Sequence, residues 1–176
     1  MPHLPTAADV ADAARAIAGV ARRTPLLSSP ELDAIAGARI FLKPETLQQT
    51  GSFKFRGAYN RISRLTDKEK TRGVVAYSSG NHAQGVAAAA KGVGTPALIV
   101  MPSDSPAVKV EGVRAFGGEV RFYDRWTESR EAIGAEIAAE RGSVLVPPFD
   151  DPFIIEGQGT VGLEMLEQAG VPMDQL

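Results

Sequence analysis

A chain of 176 residues, 44% of them apolar and 23% charged, is long enough for one sizeable core or two small ones and has an ordinary globular composition. A net charge of −2 without a basic run argues against nucleic acid as a partner, and the lack of cysteine removes disulfides, thiolate metal sites and cysteine nucleophiles. No basic region followed by an apolar block opens the chain, and the apolar run from Ala97 to Met101 is far too short to span a bilayer, so a cytoplasmic protein without a membrane partner is expected.

In chain order, Thr6 and Asp9 form a capping-box signature, and Val10, Ala13, Ala14, Ile17 and Ala21 recur at helical spacing. Thr24-Pro25 ends that helix. Ser29, Pro30 and Gly37 then punctuate a second short one, as N-cap, first-turn proline and terminator. Arg39 to Lys43 alternates like a strand. From Ser52 the pattern is helical again, with Phe55, Ala58, Tyr59, Ile62 and Leu65 on one face and Lys54 at its edge. Thr66-Asp67 and Gly73 bracket a short helix.

A βα rhythm follows. Val74–Tyr77, Ala97–Met101, Glu119–Tyr123 and Val144–Val146 read as strands. Between them lie helices from Asn81 to Lys91 (ended by Gly92), from a Ser105-Pro106 cap to Phe116, and from a Thr127 cap to Glu140. The strands are nearly continuous apolar runs and the connections have crossover length, so the prediction is an α/β fold: three layers, an open parallel sheet of βαβ units and helices on both faces. A last helix runs from about Asp151 to Ala169.

Two stretches carry chemistry. Lys54 stands between Phe53 and Phe55 just after Gly51-Ser52, at a helix start. Such a lysine is either a solvated side chain or one whose amine is made nucleophilic by an apolar setting. Ser78-Ser79-Gly80-Asn81-His82 falls where a strand of a parallel sheet hands over to a helix. There it is either an ordinary N-cap turn or, with its backbone N–H groups and the positive dipole end, a holder of carboxylate or phosphate. His82 alone reads as a structural histidine. A metal is not expected, because the only other histidine, His3, lies at the chain end. Gly92-Val93-Gly94 and Gly117-Gly118 follow helices and read as C-caps, and Gly157-Gln158-Gly159 reads as close helix packing. Glu128, Arg130 and Glu131 read as a solvated helix face, and Trp126 as a packing residue.

The stretch from Lys43 to Ala58 resembles the lysine motif of pyridoxal-phosphate enzymes of the tryptophan-synthase-β type (fold type II). Within these, Ser78-Ser79-Gly80-Asn81-His82-Ala83-Gln84-Gly85 is similar to the loop of the threonine/serine dehydratase and serine racemase branch. Further likenesses are Ala97–Pro102, Lys109-Val110, Phe116–Val120, Val146–Asp150 and Gly157–Thr160. The resemblance implies pyridoxal 5'-phosphate as cofactor, carried by Lys54, which would also act as base at the substrate Cα. It places Phe53 beside the cofactor and Asn81 on its ring hydroxyl. Ser78, Ser79, Asn81 and His82 would surround the substrate carboxylate, with Arg130 on the carboxylate side. Ser79 also matches the position of the opposite-face base in racemases.

The implied reaction is dehydration and deamination of L-threonine or L-serine, small hydroxy amino acids, to a 2-keto acid and ammonia by a homo-oligomer. The alternative is a serine or hydroxyaspartate racemase/dehydratase. An alternative of another class is a silent half-protein that binds carboxylates. In such enzymes the glycine-rich phosphate loop and the partner of the pyridine nitrogen come later than Leu176, so the chain matches the N-terminal half and alone is expected to be inactive. The implied domains are 1–42 (part of a large domain), 43–147 (a small Rossmann-like α/β domain) and 148–176 (the large domain resumed). Unless another chain covers them, the flanking helices would then show apolar faces, Val10/Ala14/Ile17 and Val161/Leu163/Met165/Leu166.

Overall fold

The computed structural model describes residues 4–174, so His3 lies outside them. Helix α1 (Ala7–Ala16) starts on the expected box, with Thr6 Oγ1 accepting from the Asp9 amide and the Asp9 carboxylate accepting from that of Thr6. It stops at Ala16, short of Ala21, and a turn with Gly19 at φ 75° follows. The strand expected over 39–43 shrinks to β2 (Phe41–Leu42), which pairs antiparallel with the unforeseen β1 (Leu27–Ser28). Between them α2 (Pro30–Ala36) has its expected Ser29 cap and left-handed Gly37.

The remaining helices and strands are α3 (Lys54–Ser63), α4 (Asp67–Arg72), β3 (Val74–Tyr77), α5 (Asn81–Val93), β4 (Ala97–Pro102), α6 (Ala107–Ala115), β5 (Glu119–Tyr123), α7 (Arg130–Arg141), β6 (Val144–Leu145) and α8 (Pro152–Ala169). Strands β5-β4-β3-β6 form a parallel sheet in that order, in registers such as Val75↔Leu98 and Ile99↔Val120. Every residue of β3 and β4 is buried, because helices cover both faces; this is why these strands read as unbroken apolar runs.

Alternate side chains serve the two faces. Val74, Ala76, Ile99 and Met101 join Val86 and Ala90 of α5, Val113 of α6 and Phe55, Ala58 and Ile62 of α3. Val75, Tyr77, Leu98 and Val100 pack on Ile133 and Ile137 of α7. Each valine, leucine, isoleucine or methionine side chain among these contributes roughly 1.5–3 kcal/mol relative to exposure.

The caps differ from expectation in three places. Ser129, not Thr127, caps α7 by accepting from the Ala132 amide; α6 starts after Pro106 with no side-chain cap; and α5 runs on to a left-handed Gly94. Trp126, expected to pack, is 86% exposed.

Helix α8, capped by Asp151, crosses α3 at backbone contact. A Cβ on Gly157 would lie 2.7 Å from both the Arg56 oxygen and Gly57 Cα, and one on Gly57 would lie 2.7 Å from the Ile154 oxygen. Gly157-Gln158-Gly159 is thus a packing segment, as read from its place in a helix. The expectation of open apolar faces on the flanking helices needs correction, since α1 packs on α8: Ile17 and Ala13 are buried and Val10, Ala14, Val161, Leu163 and Met165 are half-buried, leaving Leu166 exposed.

The junction is fastened by charge. Arg56 is 0% exposed and donates to both oxygens of Glu45, both of Glu164, Thr160 Oγ1 and the Arg22 carbonyl. Lys43 Nζ completes the cluster on Glu164 (2.5 Å), Gln168 and the Thr24 carbonyl. Burial alone would lower the Arg56 pKa, but the Glu45 and Glu164 hydrogen bonds more than reverse that and hold it above its ordinary value. Burial likewise works to raise the pKa of Glu164, and the hydrogen bonds from Arg56 and Lys43 outweigh it.

Gly157→Ala is expected to destabilise the full-length protein by about 2–3 kcal/mol, because backbone must move. Gly92→Ala, whose new Cβ meets only Tyr59 at 3.7 Å within α5, should be neutral or stabilising by up to about 1 kcal/mol. Urea denaturation of the two variants measures the contrast.

Candidate active site

The carboxyl end of β3 and the starts of α5 and α3 form the site, at the sheet edge where open parallel folds bind ligands. The Ser78 amide donates to the Val100 carbonyl (3.1 Å), extending the ladder one residue past β3. Ser78 Oγ accepts from the Gly80 amide at 3.2 Å and shapes the turn, while Ser79 is exposed at its tip. Gly80, the N-cap residue of α5, provides no side-chain cap. The first amides of a 13-residue helix therefore face the turn with the positive end of the helix dipole.

Helices α3 and α5 touch through Gly85, where a Cβ would lie 3.1 Å from the Lys54 carbonyl carbon. This contact sets Lys54 beside the start of α5. Lys54 is half-buried; its Nζ donates to the Pro148 carbonyl (2.9 Å) and lies 5.3 Å from the centroid of the Phe53 ring. Burial holds its pKa below the ordinary lysine value. Phe53 is exposed.

His82 is only 2% exposed, and its Nε2 lies 3.1 Å from the Val146 carbonyl. Since a carbonyl only accepts, Nε2 carries the proton, and Nδ1 is buried without a hydrogen-bond partner. Burial depresses its pKa to about 4; the Val146 bond opposes this, and the nearby Lys54 charge adds to it. The ring thus faces the Val146–Pro148 segment, the same one that accepts Lys54. Asn81 is exposed, and its Oδ1 accepts from Lys109 Nζ at 3.1 Å.

Arg130 stands apart from this group. It opens α7 on the other face of the sheet, with its guanidinium carbon 5.4 Å from the centroid of the Tyr77 ring and its Nε donating to Glu131 at 2.7 Å. The hydrogen bond from Arg130 holds the Glu131 pKa below the usual carboxylate range. Burial, with Glu131 nearby, raises that of Tyr77. Sequence alone gives no role to Lys109 or the Pro148 carbonyl, although both lie in stretches that resemble the family. Among the described residues no group of three or more His, Cys, Asp or Glu is placed to hold a metal, and no helix is long and apolar enough to cross a membrane.

A half-buried lysine next to an uncapped helix start defines a class of site: one in which an α/β domain can hold a small anion and offer it an amine. Residues 17–176 match a family model described as pyridoxal-phosphate dependent enzyme, and the chain belongs to that family, whose cofactor is pyridoxal 5'-phosphate. The L-threo-3-hydroxyaspartate ammonia-lyase of Pseudomonas sp is 52% identical over 168 residues, 96% of this chain and 52% of that protein. The L-threonine ammonia-lyase of Thermotoga maritima is 46% identical over 162 residues, 92% of this chain and 40% of that protein. The solved structure of maize serine racemase has a TM-score of 0.92 at 44% identity, covering 96% of this chain and 51% of that one. The chain spans about half the length of the curated relatives it matches.

The residues present fit this cofactor. An aldehyde needs an amine that gives up its proton readily, which Lys54 offers through burial, and the exposed Phe53 ring beside that amine offers an apolar wall.

In the full-length protein, His82 is expected to remain the neutral Nε2–H tautomer from pH 8 to 5, as read by imidazole ¹⁵N shifts; titration near 6.5 would contradict its placement. Because the folded value lies below the unfolded one, stability from this group is complete above pH 6.5 and declines as pH falls toward 4, by about 3 kcal/mol at most.

Proposed function

We infer that the full-length protein is a pyridoxal-phosphate-dependent ammonia-lyase that converts L-threonine or L-serine to a 2-keto acid and ammonia. The observation that carries this is the half-buried Lys54 amine beside the uncapped start of α5. Bound cofactor supplies an electron sink that acidifies the substrate Cα–H.

The chain's own residues supply alignment and proton transfer. The amides at the start of α5 and the Ser78 and Ser79 hydroxyls take the substrate carboxylate, and their fixed directions turn the Cα–H bond toward Lys54. Lys54 Nζ, whose ammonium form is disfavoured by burial, accepts the Cα proton. Asn81 offers its amide to the cofactor's ring hydroxyl, and Phe53 walls the ring. His82 contributes its backbone at the helix start, with its imidazole turned to Val146. Arg130, paired with Glu131 beneath β3, can serve the carboxylate side only by leaving that pair.

A second reading is favoured by Ser79, whose hydroxyl is exposed at the tip of the turn and is the candidate proton carrier on the face opposite Lys54. It is a serine or hydroxyaspartate racemase/dehydratase, in line with the names of the maize and Pseudomonas relatives. Residues 43–147 serve as the small domain of this enzyme, with the flanking segments joining a larger one in a homo-oligomer.

Lys54→Ala in the full-length protein should abolish the absorbance of lysine-bound cofactor and lower keto-acid release by about 10³-fold; persistence of that band would refute the assignment. Ser79→Ala should suppress racemisation while leaving keto-acid release within several-fold, and equal loss of both would remove the second reading.

A further inference from the structure

Lys109 is the third residue of α6, and its ammonium lies 3.1 Å from Asn81 Oδ1 at the first residue of α5. We propose that Lys109 is a positioning residue for the cofactor site: by occupying Asn81 Oδ1 it turns the Asn81 Nδ2–H₂ donors toward the ligand. This rests on the pyridoxal-phosphate reading, in which Asn81 meets the cofactor's ring oxygen.

An asparagine amide has an accepting edge and a donating edge that exchange by a half-turn, and nothing in the residue itself chooses between them. An ammonium has donors only, so a lysine in contact can pair only with Oδ1. The amide is planar, and fixing Oδ1 on the α6 side directs Nδ2 away from it. Among the described residues Asn81 Nδ2 makes no hydrogen bond to protein, so its two donors remain for a ligand.

The position of the charge points the same way. A cation in the first turn of a helix opposes the helix dipole, and Lys109 stands at the start of α6 while reaching the start of α5. It forms no ion pair with any carboxylate among the described residues. The positive end of α5 and an ammonium without a carboxylate partner among the described residues therefore lie together, an arrangement that favours an anion such as an ionised ring oxygen. Helices α5 and α6 meet where Gly112 faces Gln84, and a Cβ there would displace the end of the Gln84 side chain.

The test is a double-mutant cycle in the full-length protein stripped of cofactor and titrated with pyridoxal 5'-phosphate, reading the dissociation constant and the absorption spectrum. Lys109→Met is expected to weaken cofactor binding about tenfold and to shift the pH midpoint of the bound cofactor's spectrum, with Lys109→Arg restoring most of both. In an Asn81→Ala background, Lys109→Met should add no further loss. In the cofactor-free protein, Lys109→Met should also move the Asn81 side-chain amide signals. An unchanged affinity and spectrum in Lys109→Met, or the same loss with and without Asn81, would overturn the proposal. If those amide signals move but no form of the protein binds cofactor, the functional reading fails while the Lys109–Asn81 contact stands.

Discussion

Arg56 is a guanidinium with no access to solvent, and the rest of the structure is arranged around its needs. Removing such a charge from water costs several kcal/mol, recovered only if the donors find fixed acceptors. The acceptors come from the Arg22–Thr24 segment, the turn at Glu45 and helix α8, so the cluster joins parts of the chain more than 100 residues apart, with Arg56 and Glu164 separated by 108. Losing one partner would strand a buried charge, an effect of about 3–5 kcal/mol. In a helix, residues two apart point about 200° apart around the axis. With Arg56 turned into the ion cluster, Lys54 is therefore turned away from it, toward α5 and Pro148. The cluster fixes both the place of α3 and the direction of its lysine.

The same economy runs through the site. The Val146–Pro148 segment accepts from His82 at one end and from Lys54 at the other, so a single backbone stretch connects the first turn of α5 to the Lys54 amine. The histidine works as a neutral donor, and a proton on Nδ1 would have no acceptor there. Its ring contributes geometry, and the uncapped amides at the start of α5 lie beside it.

Much of this was legible in the sequence, for physical reasons. Strands β3 and β4 are buried on both faces and so appear as continuous apolar runs, and the turn at Ser78–Asn81 announces itself by small polar residues between a strand and a helix. What escaped depends on distant partners or small differences. Strands β1 and β2 are two residues each, too short for any period to show. Arg56 looks like any surface arginine until Glu164 is folded onto it. The ring of His82 finds its acceptor 64 residues away, and Lys109 its partner 28 residues back. Ser129 rather than Thr127 caps α7, a choice between neighbouring hydroxyls that local pattern does not settle. Trp126, read as a packing residue, stands in solvent.

The lysine directed away from the Arg56 cluster is the one proposed to take up the cofactor. Borohydride reduction of the full-length holoenzyme fixes pyridoxyl to the lysine that holds it, and peptide mass mapping then locates the label. The label is predicted on Lys54 alone; finding it on Lys43, Lys109 or any other lysine would contradict the account.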